Sequence, residues 1–340
     1  MATVLQVTDF SVDYRTSRGE VRALDSVNLK VEEKEFIALV GESGCGKTTL
    51  GLATIGLLPP KVARIRGGII SYKGTDLTKL SPNAARKYRG SEIAMIFQEP
   101  LTSLNPLKRI GEQIGEAIVL RHQKEDPKGN EKIPRIPGRT WKLPPHVREQ
   151  AERMLALVRI PDPDHIINRY PFELSGGMRQ RAMIAMALSQ QPELLIADEP
   201  TTALDVTTQA QVLKLMKEIK DKLGTTIMLV THDLAVASQV ADRVVVMYAG
   251  QIVEDAEVHA LFSSPKHPYT QGLLSCIPTG NREGKQLTPI KGTIPDLTVR
   301  RDWCRFHPRC PAAMDVCARK EPLLKELEKD HRVACFLYGE

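Results

Sequence analysis

Residues 36–50 read FIALVGESGCGKTTL. The apolar run from Phe36 to Val40 has the composition of a strand covered on both faces of a parallel sheet. Directly after it stand Gly41, Gly46, Lys47 and Thr48, the G-x-x-x-x-G-K-[ST] spacing in the order strand, loop, helix. Each residue type has a physical reason to be there. Glycines let backbone N–H groups curl around phosphates without Cβ clashes, and the helix that follows points its positive end at the same anion. Lys47 is suited to the β- and γ-phosphates and the Thr48 hydroxyl to Mg²⁺. Gly41, Ser43, Gly44, Cys45, Gly46, Lys47, Thr48 and Thr49 are therefore the expected phosphate cradle. Cys45 reads as a small loop residue rather than a nucleophile.

A second strand supports the same chemistry. PELLIADEPTTALD places the apolar run Leu194 to Ala197 ahead of adjacent acids. In open parallel sheets ligands bind at the carboxyl ends of strands, which is where Asp198 and Glu199 fall. Asp198 is suited to hold Mg²⁺, and Glu199 to polarise a water for attack on the γ-phosphate. Between the two strands lies FELSGGMRQRAMIAMALSQQ. There Ser175, Gly176 and Gly177 form a turn opening a helix from about Met178 to Ser189, a second anion-binding helix start. One nucleotide needs one such cradle, so the second is expected to serve a nucleotide held by another subunit.

Taken together, these motifs in this order resemble the nucleotide-binding subunits of ABC transporters over roughly residues 1–270. The resemblance implies an α/β fold, the P-loop NTPase ABC cassette. Such a cassette has a mixed sheet core, an antiparallel β subdomain and a helical subdomain, here at about 100–190. It also implies that Ser175, Gly176 and Gly177 close over ATP bound by the partner subunit. Met178 stands where many members carry Gln, a change that leaves Ser175 and the glycine N–H groups intact. Residue by residue, Gln98 in MIFQEPLTSLNP matches the glutamine that senses Mg²⁺ and the attacking water. His232 in IMLVTHDL matches the histidine that contacts the γ-phosphate. Asp205 in TTALD belongs to the loop that communicates across the dimer, and Tyr14 in VDYRT to the ring that stacks on adenine.

The remaining sequence bounds the setting. Of the 340 residues, 42% are hydrophobic and 26% charged, ordinary for a globular protein. Lys and Arg number 47 against 41 Asp and Glu, a net +6 too mild and too evenly spread to argue for nucleic acid. No apolar run approaches the roughly 20 residues of a membrane span. The start, MATVLQVTDFSVDY, lacks the pattern of a signal peptide. The chain is thus expected in the cytoplasm, with thiols reduced. A Pro-, Gly- and charge-rich stretch, 122–146, reads as an exposed insertion, and a hairpin is expected at Ala249-Gly250.

Four of the six cysteines, Cys304, Cys310, Cys317 and Cys335, crowd into the tail. Clustered thiols in a reducing compartment favour metal over disulfides. The gaps between them suit neither the usual zinc pairs nor the common cluster spacings, so spacing leaves zinc and iron–sulfur both open. KHPYTQGLL followed by CRFHPRCPAAMDVC resembles the C-terminal extension of dipeptide/oligopeptide importer ATPases. That resemblance implies a [4Fe–4S] cluster on the four cysteines, with zinc or free structural thiols as the alternatives, in a small Cys-rich accessory domain at 271–340. It further implies a second, homologous ATPase subunit, normally in a heterodimer, two transmembrane permeases and an extracytoplasmic solute-binding protein. The chain would then sit peripherally on the cytoplasmic face of the cell membrane. Cargo other than peptides (oligosaccharide or nickel) and a soluble ABC ATPase acting on DNA or ribosomes are the alternatives. The single cassette and the lack of sustained heptads disfavour the latter.

Overall fold

A computed structural model describes residues 2–127, 133, 142–202, 204–277, 289–299 and 301–339. In chain order the strands are β1 (Thr3–Thr16), β2 (Gly19–Glu32), β3 (Phe36–Val40), β4 (Ala63–Tyr72), β5 (Thr75–Asp76) and β6 (Ile93–Ile96). They continue with β7 (Leu194–Asp198), β8 (Thr226–Thr231), β9 (Arg243–Tyr248), β10 (Gln251–Glu257), β11 (Lys325–Glu328) and β12 (His331–Val333). The chain divides into two compact units, one of Met1–Pro82 with Met228–Glu340, the other of Asn83–Ile227.

The first unit holds two sheets. One is antiparallel, ordered β2-β1-β4-β5. The second runs β11-β12-β10-β9-β3-β8 through this unit. All residues of β3 and β8 are buried, as their unbroken apolar sequences require of strands covered on both faces. β3 runs parallel to β9, with Ile37 opposite Arg243 and Val40 opposite Val246. β9 turns back into β10 through Ala249 (φ 48°) and Gly250 (φ 89°), the doubly positive pair of a tight hairpin turn, as expected from the sequence.

In the stretch where the sequence suggests an accessory domain from 271, the chain adds two strands to the cassette's own sheet. β12 pairs antiparallel with β10, setting Val333 opposite Glu254 and His331 opposite Ala256, and β11 pairs with β12. Composition changes at the tail, but the sheet does not break there. Buried polar groups secure the join. The Glu254 carboxylate is fully buried and accepts the backbone N–H groups of Lys266 (2.6 Å) and His267 (2.9 Å). It also meets His331 Nε2 at 2.8 Å. Arg243 bridges Asp255 and Glu35 at 2.8 and 2.9 Å, and Arg332 pairs with the same Asp255.

His267 caps the helix Pro268–Ser275, its Nδ1 accepting the Tyr269 N–H at 3.0 Å. Its ring is buried beside Phe306, with centroids 5.7 Å apart, and burial pushes its pKa down to about 3. The folded chain therefore keeps His267 neutral while the unfolded chain takes up a proton near pH 6.5. Below pH 6.5 the unfolded state binds one proton more, so this group's stabilisation is lost as pH falls towards 3. The slope is about 1.4 kcal/mol per pH unit. Denaturant midpoints measured between pH 7.5 and 5 are expected to fall, and His267→Asn is expected to flatten that dependence.

The second unit combines a parallel strand pair with helices. β6 and β7 run side by side from Ile93 opposite Leu194 to Ile96 opposite Ala197. The helices Ile110–Glu125, Pro145–Leu157 and Gly176–Leu188 pack on one another through buried Ile114, Ile118, Val147, Ala151, Leu155, Ala182 and Ile184. Glu112 accepts the Arg109 N–H at 2.8 Å and so caps the first of these. The insertion expected at 122–146 is helical at both ends. The helix Ile110–Glu125 reaches into it and Pro145–Leu157 begins within it. Residues 128–132 and 134–141 lie outside the described residues.

Candidate functional site

In the first unit, β3 delivers the chain into the phosphate loop, and the helix Lys47–Thr54 starts at the predicted lysine. Lys47 is buried and its ammonium donates to the carbonyls of Gly41 (2.7 Å) and Glu42 (3.1 Å). The loop thus holds its own lysine folded back over the cradle. Ser43, Gly44 and Thr48 are exposed and Thr49 is half-buried. Cys45 is 1% exposed, and burial pushes its thiol above the ordinary range, so it stays protonated and unreactive. Tyr14 lies on β1 between Val21 and Ala63 and is half-buried. His232 follows β8 directly and is exposed. The next residue, Asp233, caps the helix Leu234–Val240 by accepting the N–H groups of Ala235 (2.7 Å) and Val236 (3.3 Å).

In the second unit, β7 ends at Asp198, which is buried, one residue beyond the expected end of the strand. Glu199 follows with φ 44°, a left-handed conformation that non-glycine residues adopt at a cost. Its Oε2 accepts from Gln98 Nε2 at 3.1 Å and from Thr202 Oγ1 at 2.9 Å. Two residues far apart in sequence are thereby brought together, and the carboxylate is aimed from two sides. The sequence reading missed Thr202, whose position three residues after Glu199 is the signal for it. Ser175 caps the helix Gly176–Leu188, its Oγ accepting the Met178 N–H at 3.3 Å, and Ser175 and Gly176 are exposed. Arg179 donates to the carbonyls of Pro171 (2.7 Å) and Phe172 (3.2 Å), fixing the turn that leads into this cap. Asp205 caps the helix Val206–Leu223 by accepting from Thr208 N at 2.9 Å, and that bond is the main reason its pKa is held below the ordinary value.

A family model described as ABC transporter matches residues 24–202. The chain belongs to the ABC transporter family. A second model, described as the C-terminal region of oligopeptide/dipeptide transporters, matches residues 253–317. Among relatives in the family, the chain is 46% identical to the probable peptide ABC transporter ATP-binding protein y4tR of Sinorhizobium fredii (strain NBRC 101917 / NGR234). That match runs over 339 residues, 99% of this chain and 96% of that protein. It is likewise 46% identical to the dipeptide transport ATP-binding protein DppD of Bacillus subtilis (strain 168), over 100% of this chain and 96% of that protein. A dimeric post-hydrolysis structure of the ATP-binding cassette MJ0796, bound to ADP and Pi, is similar with a TM-score of 0.62. The sequences are 26% identical, and the match covers 75% of this chain and 98% of that one.

The metal centre expected on the tail cysteines finds no support in the arrangement of the described residues. Among the described residues no group of three or more His, Cys, Asp and Glu is arranged to hold a metal ion. Cys304, Cys310, Cys317 and Cys335 are free thiols, and the Cys304 N–H donates to the Cys317 carbonyl at 3.1 Å. Burial pushes the Cys304 thiol up to about 11, and burial raises Cys310 and Cys335 as well, with neighbouring cysteines adding to each. Four thiols are the right donors for zinc or iron–sulfur, but among the described residues no three of them are arranged to hold one ion, so the geometry lends a [4Fe–4S] cluster no support. Cys276, the C-terminal cap of the helix Pro268–Ser275, is half-buried.

Proposed function

We propose that this chain is the ATP-hydrolysing subunit of a binding-protein-dependent importer of dipeptides or oligopeptides. The observation that carries this reading is the full-length likeness, tail included, to proteins named as peptide transport ATP-binding proteins. Gly41, Ser43, Gly44, Cys45, Gly46, Lys47, Thr48 and Thr49 bind the phosphates, and Tyr14 the adenine. Thr48, Gln98 and Asp198 offer the oxygen donors that a hard Mg²⁺ ion takes, and the ion would neutralise charge developing on the phosphates. Glu199 accepts the proton of the attacking water, and His232 contacts the γ-phosphate. Ser175, Gly176 and Gly177 close on the nucleotide of a homologous partner ATPase, with Asp205 on the communicating loop. Closure of two such subunits, followed by hydrolysis, drives two permeases fed by a solute-binding protein. Among the described residues no helix is long and apolar enough to cross a membrane. Its place is at the cytoplasmic face.

The decisive experiment reconstitutes the chain with its neighbouring permease, partner ATPase and binding-protein genes in vesicles and measures hydrolysis and uptake. Stimulation by a peptide-loaded binding protein is the expected result. Stimulation by nickel or an oligosaccharide, or hydrolysis indifferent to the permeases, would overturn the cargo or the transport role. The finer proposal of a cysteine-held cluster rests on donor type alone, and no part of the cycle runs through it. Iron, sulfide and zinc content of anaerobically purified protein decides it. About four irons per chain supports the cluster, whereas zinc or no metal removes it.

A further inference from the structure

Glu42 is a problem for a loop that binds polyphosphate. It follows the first glycine of the cradle, so its carboxylate adds negative charge beside the site meant for a highly charged anion. The structure answers that charge from the tail. Arg309 donates Nη1 to Glu42 Oε2 at 2.7 Å and Nη2 to Oε1 at 3.0 Å, the parallel two-bond pairing that suits guanidinium to carboxylate. The Arg309 side chain is only 5% exposed. Its other bonds go to the carbonyls of Lys291 (3.1 Å) and Ile290 (3.5 Å) and to the Tyr248 hydroxyl (3.4 Å), whose ring centroid lies 5.7 Å from the guanidinium. A buried, fully engaged arginine is held in place; it is not a solvated surface charge that happens to lie nearby.

The same loop residue is gripped by its backbone. The Glu42 N–H donates to the Tyr269 hydroxyl at 2.9 Å. Tyr269 is itself buried against Tyr248 and Phe306, with ring centroids 4.7 and 5.4 Å away. The Glu42 carbonyl accepts from Lys47 Nζ at 3.1 Å and from the Cys45 N–H at 3.3 Å. Two of the contacts that fix Glu42 therefore come from residues 269 and 309, beyond the strands that build the cradle.

We propose that Arg309 is a positioning residue of the phosphate loop, cancelling the charge of Glu42 so that the cradle can accept ATP, and that nucleotide affinity thus depends on the Cys-rich tail. The proposal rests on the reading of the loop as the ATP cradle. Arg309 closes the 3-10 turn His307–Arg309, next to Cys310, so whatever rearranges that turn reaches the loop.

The test is equilibrium binding of Mg-ATP to the full chain and its variants, with unfolding temperature recorded for each. Binding by the unaltered chain checks the ATP reading; the shifts among variants check the proposal. Arg309→Ala exposes the Glu42 charge and is expected to weaken binding about tenfold. Glu42→Gln leaves the arginine cation unneutralised beside the loop and is expected to tighten binding about threefold. The double variant, neutral again, should return to within about threefold of the parent. Arg309→Lys, which keeps the charge but loses the fork, should fall between Arg309→Ala and the parent. A purely structural contact would make both single changes weaken binding, with no recovery in the double variant, and that pattern overturns the proposal. So does an Arg309→Ala protein that folds and binds normally. If Arg309→Ala does not fold, Glu42→Gln alone decides: binding that is unchanged or weaker overturns the proposal.

Discussion

Replacing Glu199 by Gln is expected to lower ATP turnover at least about 100-fold, the lower range of what a positioned general base contributes. The geometry makes this a clean substitution. Glu199 Oε2 is held by Gln98 Nε2 at 3.1 Å and by Thr202 Oγ1 at 2.9 Å, so the carboxylate is oriented by donors from two segments. A glutamine has nearly the same shape and its amide oxygen can still accept from Thr202, but it cannot take a proton from water. ATP binding is therefore expected to survive, and single-turnover measurements should show bound, unhydrolysed ATP. Hydrolysis persisting at the parent rate would remove Glu199 as the base and leave its backbone strain, φ 44°, without a catalytic explanation.

Replacing Gly46 by Ala is expected to abolish nucleotide binding and to lower the unfolding temperature, through two separable effects. Gly46 has φ 107°, where a residue with a side chain is strained, at a cost of about 1–3 kcal/mol. A Cβ there would also lie 2.6 Å from the Ala23 carbonyl oxygen and 2.8 Å from Leu24 Cδ2, both on β2. Leu24 is fully buried and the carbonyl is backbone, so neither can withdraw, and overpacking of this kind adds about 1–3 kcal/mol. Gly44 is the control. Its φ of 80° carries the strain, but a Cβ there meets nothing within 4 Å. Gly44→Ala should thus cost only the strain. Equal unfolding temperatures for the two variants would show that the close approach to β2 does not hold the loop.

Both predictions concern residues that the sequence had already singled out, and the reason is that their chemistry is local. A strand such as FIALV followed at once by a glycine loop and a lysine is specified by neighbours in the chain, as is LLIAD ending in acids. The hairpin at Ala249-Gly250 is local in the same sense. The tail was much less legible. β11 and β12 read KELE and HRV, short and polar, with no alternation to mark them as strands. They become strands because β10 offers an open edge and because Asp255 pairs with Arg332 while the Glu254 carboxylate hydrogen-bonds with the His331 ring.

The type of chemistry is written in the order of residues along the chain. Glycine spacing, a lysine, an acid pair and a Ser-Gly-Gly helix start are enough to name a phosphate-binding, water-activating machine, because each motif acts through residues within a few positions of one another. Which residues support those motifs emerges with folding. Arg309 reaches Glu42 across 267 positions, Tyr269 across 227, and Gln98 reaches Glu199 across 101. The four tail cysteines show the converse: their number declared a donor set, yet whether four thiols meet depends on how the chain between them packs. Charge cancellation, hydrogen-bond reach and ligand convergence are distances in space, and sequence separation carries no record of them until the chain has folded.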